Sequence, residues 1–143
     1  MRHIRLGRDD CLSCGEGRVQ PLLLLMQHGV PHGETGHDMS YDHIVIARCE
    51  RCGAGQIEIY GHDCFPLDDV WDQFEWYILS ADAMRRLAEG HCPTPLLATC
   101  DCPLHRVWRA AVMRLPVRPW DTPLEAAAHV HTTPLLWEGD RLR

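Results

Sequence analysis

The chain has 143 residues, 45% of them hydrophobic, and a formal charge of -6; that suffices for one domain with a respectable core and is too little for two large ones. Its longest apolar run, PLLLLM at 21–26, is far shorter than the roughly 20 residues that span a bilayer, and the opening MRHIRLGRDDC is charged with no apolar signal core, so a soluble, cytoplasmic protein is expected. Eight cysteines in such a chain point to metal ligands or redox chemistry before disulfides, and the lack of any lysine or asparagine suggests a GC-rich bacterial genome.

In chain order, the first strong signal is CLSCGEG at 11–17, echoed by CERCGAG at 49–55. Each is C-x-x-C-G-x-G. That spacing aims two sulfurs of one tight turn at a common point, with Gly15 and Gly53 supplying the positive φ and leaving backbone N–H groups a clear path to sulfur. Together Cys11, Cys14, Cys49 and Cys52 can form a four-sulfur tetrahedron around one zinc. The competing reading is a pair of free or thioredoxin-like dithiols, and the doubling of the motif disfavours it. Strand-like runs lie around the knuckles, RVQPLLLLMQ, DHIVIARC and QIEIYG, the last with Ile57 and Ile59 at period two. Pro21 restricts the first to a sheet edge or a partial strand.

These knuckles and strands resemble a zinc ribbon, a small module in which paired CxxC(G) turns on a β-hairpin hold one structural zinc. The resemblance covers about the first 60 residues and implies a local fold and a metal, with no single activity. Four thiolates around one zinc would add about -2 to the charge.

The segment QHGVPHGETGHDMSYDH holds His28, His32, His37 and His43 with Glu34 and Asp38. Such residues can bind a metal or move protons. Their spacing fits no helical ligand motif, however, and a mobile polar loop is the expectation. From Arg51 to Arg85 the only basic side chain is His62, while Glu58, Asp63, Asp68, Asp69, Asp72, Glu75 and Asp82 fall there among Trp71, Phe74, Trp76 and Tyr77. The aromatics are read as core. Any exposed among the acids would make a protein-binding surface, not a nucleic-acid platform, which needs positive charge. FEWYIL reads as a strand and SADAMRRLAEG as a helix capped by Ser80 and stopped by Gly90 in the left-handed conformation.

From Pro103, Leu104, Val107, Trp108, Ala111, Val112 and Leu115 recur at helical spacing, with Arg106, Arg109 and Arg114 outward. Pro103 suits the first helical position and Cys102 the cap before it. His105 then sits one turn in, and Cys92 and Cys100 lie just upstream. Cys92, Cys100, Cys102 and His105 form a candidate zinc site of three cysteines and one histidine, with Cys64 or His91 as substitute members. Two alternatives stay open: buried thiols beside a surface histidine, and a reactive Cys102 with His105 as its base. Beyond Pro116, a helix over DTPLEAAAHV is expected, capped by Thr122, with His129 and His131 as charges near its end.

The expected class is α+β, a zinc-ribbon β module over 1–62 and an α-rich part over 63–143 packed as one unit. The expected function is a non-enzymatic zinc-binding protein with one zinc or two, presenting an acidic and aromatic surface to a protein partner with a basic surface, in the manner of an immunity or antitoxin protein or an adaptor. The alternatives are a nucleic-acid-associated zinc ribbon, against which the acidity counts, and a metal- or thiol-dependent enzyme, for which no complete catalytic constellation is visible.

Overall fold

The computed structural model describes residues 4–29, 41–63, 71–116 and 128–143. Strands β1 (Val19–His28), β2 (Tyr41–Cys49), β3 (Gly55–Asp63) and β4 (Trp71–Leu79) are followed by helices α1 (Ala81–Glu89) and α2 (Pro103–Met113), then by β5 (Ala128–Leu135) and two short strands, β6 (Trp137–Glu138) and β7 (Arg141–Leu142). The first four strands form an antiparallel meander and β5 joins β4 in parallel, giving a mixed sheet in the order β1-β2-β3-β4-β5. A parallel neighbour demands a crossover connection, and α1 and α2 lie within it. The class is α+β. No helix among the described residues is long and apolar enough to cross a membrane.

Period-two alternation sorts the strand residues between two faces. Leu23, Leu25, Ile44, Ile46, Ile57, Tyr77 and Leu79 point to one, where Ala83 and Leu87 of α1 and Trp108, Ala111 and Val112 of α2 close the main core. The opposite face carries Val45 and Trp76, both buried, so β1 and β2 are apolar on both sides and read as continuous hydrophobic runs. Pro21 sits in edge strand β1, beside a register shift between Pro21 and Leu23. Trp76 and Tyr77 belong to the interior.

Several local expectations need correction. Gly90 ends α1 with φ -81 and ψ 160, an extended cap and not a left-handed one; the Leu104 side chain packs against it, with Cδ1 2.3 Å from where a Cβ would lie. Val107 is exposed, and His105 takes a buried place on the inner face of α2 instead. Arg109 does not face outward: its guanidinium donates to the carbonyls of Leu25, Ala98 and Cys100 at 2.8, 2.9 and 3.0 Å. His129 and His131 stand in β5, not at a helix end. The expected cap at Thr122 and the helix after it lie outside the described residues, as do His32, His37, Glu34 and Asp38.

His43 is not a mobile loop residue. It is fully buried in β2, as is Glu58 of the neighbouring strand β3. His43 Nε2 donates to Glu58 Oε2 at 2.5 Å, and His43 Nδ1 lies 2.8 Å from the Tyr41 hydroxyl. Glu58 Oε1 accepts from Trp76 Nε1 at 2.9 Å and from the backbone N–H of Gly7 and Arg8 at 2.8 and 3.3 Å. A buried carboxylate is tolerable only when so paired, and this one ties the segment leading to the first knuckle onto the sheet. Glu58→Ala leaves those donors and a buried imidazole without their acceptor; an expected loss of about 3–5 kcal/mol of unfolding free energy is measurable by urea denaturation. Glu58→Gln keeps an acceptor oxygen and loses less.

Candidate metal centres

The two C-x-x-C-G segments fold into matching turns. Cys11 precedes β1 and Cys49 ends β2, and the antiparallel pairing of Val19 with Cys49 brings the turns together. In each, the glycine after the second cysteine has positive φ, 73° at Gly15 and 77° at Gly53, and its N–H donates to the carbonyl of the first cysteine at 2.9 and 3.1 Å. Backbone N–H groups then converge on sulfur: Ser13 and Cys14 on Cys11 Sγ at 3.3 and 3.4 Å, Arg51 and Cys52 on Cys49 Sγ at the same distances. Gly17 donates to Cys14 Sγ and Ala54 to Cys52 Sγ.

The four sulfurs lie within 4.8 Å of one another. Among them, Cys11 Sγ is 3.6 Å from Cys52 Sγ and Cys14 Sγ is 3.8 Å from Cys49 Sγ. Zinc–sulfur bonds of about 2.3 Å in a tetrahedron set sulfurs about 3.8 Å apart. The approaches cross between the two turns, whereas a redox dithiol would pair its sulfurs within one. All seven described cysteines are free of disulfides.

The electrostatics of the cluster favour a cation. N–H donors, Cys52's first, hold the Cys49 thiol down at about 6, and those of Glu16 and Gly17 lower Cys14. Cys52 receives the Ala54 N–H, which lowers it, yet burial and the three neighbouring sulfurs leave it raised to about 11. Four sulfurs this close cannot all ionise unless a positive charge sits among them.

Gly17 has a second duty. A Cβ there would fall 2.1 Å from Cys49 Sγ and 3.3 Å from Cys14 Sγ, whereas the equivalent glycine of the second turn, Gly55, packs against Met84 Sδ. Gly17→Ala therefore pushes a methyl group into the sulfur cluster. The expected result is metal affinity at this centre about 10–100-fold weaker, read by competition with a chromogenic chelator.

The second cluster assembles at the open edge of β1. Cys102 caps α2: its Sγ accepts the His105 N–H at 3.4 Å, with Pro103 in the first turn. His105 Nδ1 lies 3.3 Å from both Cys92 Sγ and Cys102 Sγ, Cys92 Sγ is 3.6 Å from Cys100 Sγ, and all four ligand atoms lie within 4.8 Å. His105 Nε2 donates to the Leu24 carbonyl at 3.0 Å. That bond fixes the tautomer, leaving the Nδ1 lone pair for the sulfur cluster, the usual support for a ligating imidazole. Burial lowers the His105 pKa, which keeps the ring neutral and able to ligate. Burial also pushes Cys92 up to about 11, while Cys100, led by a hydrogen bond from Thr94, comes down to about 7.

The same cluster covers a sheet edge. Leu24 N–H donates to Pro95 O at 2.9 Å, and Arg109 fastens the 98–100 backbone to Leu25. Unpaired edge strands invite aggregation, and here the cysteine loop occupies the edge. Of the substitute members, His91 is exposed and outside the four-atom cluster, and Cys64 lies outside the described residues. The inward role of Arg109 escapes the sequence reading, although its i+4 spacing from His105 places both on one helix face.

The acidic run is divided. Glu58 and Glu75 are buried, while Asp82 is exposed and paired with Arg85. Asp68 and Asp69 lie outside the described residues. Two cysteine clusters that can hold a metal ion are therefore in place, one of four cysteines and one of three cysteines and a histidine. No family model, curated protein or solved structure matches the chain.

Proposed function

We propose that the chain is a two-zinc protein in which both ions are structural, one bound by Cys11, Cys14, Cys49 and Cys52 and the other by Cys92, Cys100, Cys102 and His105. The observation that carries this reading is the convergence of four ligand atoms within 4.8 Å in each cluster. Four thiolates, or three thiolates and an imidazole, are closed donor sets in which protein fills every tetrahedral position, the hallmark of structural zinc. Their places in the fold agree: the first joins the segment before β1 to the β2–β3 turn, and the second pins α2 and its preceding loop to the β1 edge.

On this reading Cys102 is a ligand, not a nucleophile. Elemental mass spectrometry of native-purified protein should give at least two zincs per chain, and Cys102→Ser should remove about one. An unchanged count would return Cys102 to the free thiols and sink the assignment of the second centre. The wider role we propose is that of a stapled scaffold offering an acidic surface to a basic protein partner. With Glu58 and Glu75 inside and Asp82 paired with Arg85, the acids of the run left to carry that role are Asp63, Asp68, Asp69 and Asp72. Joint replacement of Asp68 and Asp69 by alanine should leave zinc content intact and weaken capture of a co-purifying partner.

A further inference from the structure

Three side chains that the cysteine clusters leave unused meet near the other edge of the sheet. β5 carries His129 and His131 two residues apart, so both point to one face. The parallel register sets His129 beside Glu75 and His131 beside Tyr77. One ligand atom each from Glu75, His129 and His131 lies within 4.8 Å of the others. His131 Nε2 is 2.6 Å from Glu75 Oε2, and the two imidazoles meet edge to face with centroids 4.5 Å apart. The Tyr77 ring lies flat against His131, centroids 3.9 Å apart, and holds its plane.

We infer that Glu75, His129 and His131 form a third metal site, for a divalent transition ion, with at least one coordination position left to solvent. Two imidazoles and one carboxylate are the donor set of open-sided centres, which keep a place for water or substrate. Glu75 is 1% exposed, and buried charges are found paired or coordinating a metal. A pair of Glu75 and His131 alone needs no third donor, and His129 converges on the same point. A divalent ion engages all three donors at once. The His131 side chain is 28% exposed, which gives an ion a way in. This site differs in kind from the closed cysteine centres and stands whether or not those hold zinc.

The test is addition of cobalt(II) to the chain with zinc in its cysteine centres. The expected result is uptake of one further equivalent, whose absorption lacks the thiolate-to-cobalt charge-transfer band. That uptake should vanish in His129→Ala and in His131→Ala, while each variant keeps its cysteine-bound zinc and its far-ultraviolet circular dichroism. Azide should shift the absorption, marking the exchangeable position. No uptake by the parent chain at excess cobalt, or uptake only with a thiolate band, overturns the site without recourse to a variant. An azide-insensitive spectrum overturns its open side. If the cysteine centres hold no metal while histidine-dependent uptake persists, the two-zinc reading fails and this site remains.

Discussion

Cys49→Ser should abolish the cooperative thermal unfolding of the chain and remove one zinc. Cys49 is 1% exposed at the end of β2, paired with Val19, and its sulfur is the convergence point of two backbone N–H groups. Serine is nearly isosteric, so lost packing accounts for little of the effect. What is lost is a ligand. A structural zinc contributes roughly 10–16 kcal/mol of apparent binding free energy in small modules, against total stabilities of about 5–15 kcal/mol for whole domains. Losing that contribution is comparable to the whole stability a domain of this size holds. Thermal melting followed by circular dichroism reads the result. A variant that melted like the parent would show that the first knuckle pair stands without metal.

His105→Ala should have the second-largest effect, and a local one. The substitution removes the Nδ1 ligand of the second centre and the Nε2 donor to Leu24 O together. An orphaned buried carbonyl costs about 1–3 kcal/mol by itself, and loss of the ion frees the loop whose Pro95 carbonyl accepts the Leu24 N–H. Hydrogen exchange should therefore quicken along β1, with Leu24 foremost, while β3 and β4 keep their protection. Arg109→Ala provides the contrast. It removes three carbonyl contacts and leaves all four ligands, so zinc content should stay at the parental value while the loop over 98–100 exchanges faster. Unchanged β1 protection in His105→Ala would contradict the edge-covering role of the second centre.

Local spacing explains how much of this is legible in the sequence. The knuckles are legible because C-x-x-C-G encodes its own geometry: the turn, the positive φ of Gly15 and Gly53, and the N–H groups aimed at sulfur all lie within a few residues. The α2 cap is legible for the same reason, since Pro103, Cys102 and His105 share one turn. The burial of His43, Glu58 and Glu75 is not legible. Each is a polar residue alternating with apolar strand neighbours, Ile44 after His43, Ile57 and Ile59 about Glu58, Phe74 and Trp76 about Glu75, so period two alone turns it outward, and only strand register, His43 beside Tyr60 and Glu58 beside Trp76, carries such residues inside. The pairing of His129 and His131 with Glu75 escapes the sequence because their strand depends on β4 as a parallel partner more than 50 residues away. Alternation alone at H-x-H would have placed both rings on one face. Gly90 shows the converse: its position at the end of α1 is legible, but its conformation is extended, not left-handed, and its tertiary neighbour is Leu104.

The most direct test of the two structural centres is zinc K-edge X-ray absorption on the chain loaded with two zinc equivalents. Seven sulfurs and one imidazole nitrogen in the two clusters predict a sulfur-dominated first shell at about 2.3 Å with a weak imidazole contribution. A first shell dominated by oxygen and nitrogen would contradict the account, because it would place the zinc on residues other than these cysteines.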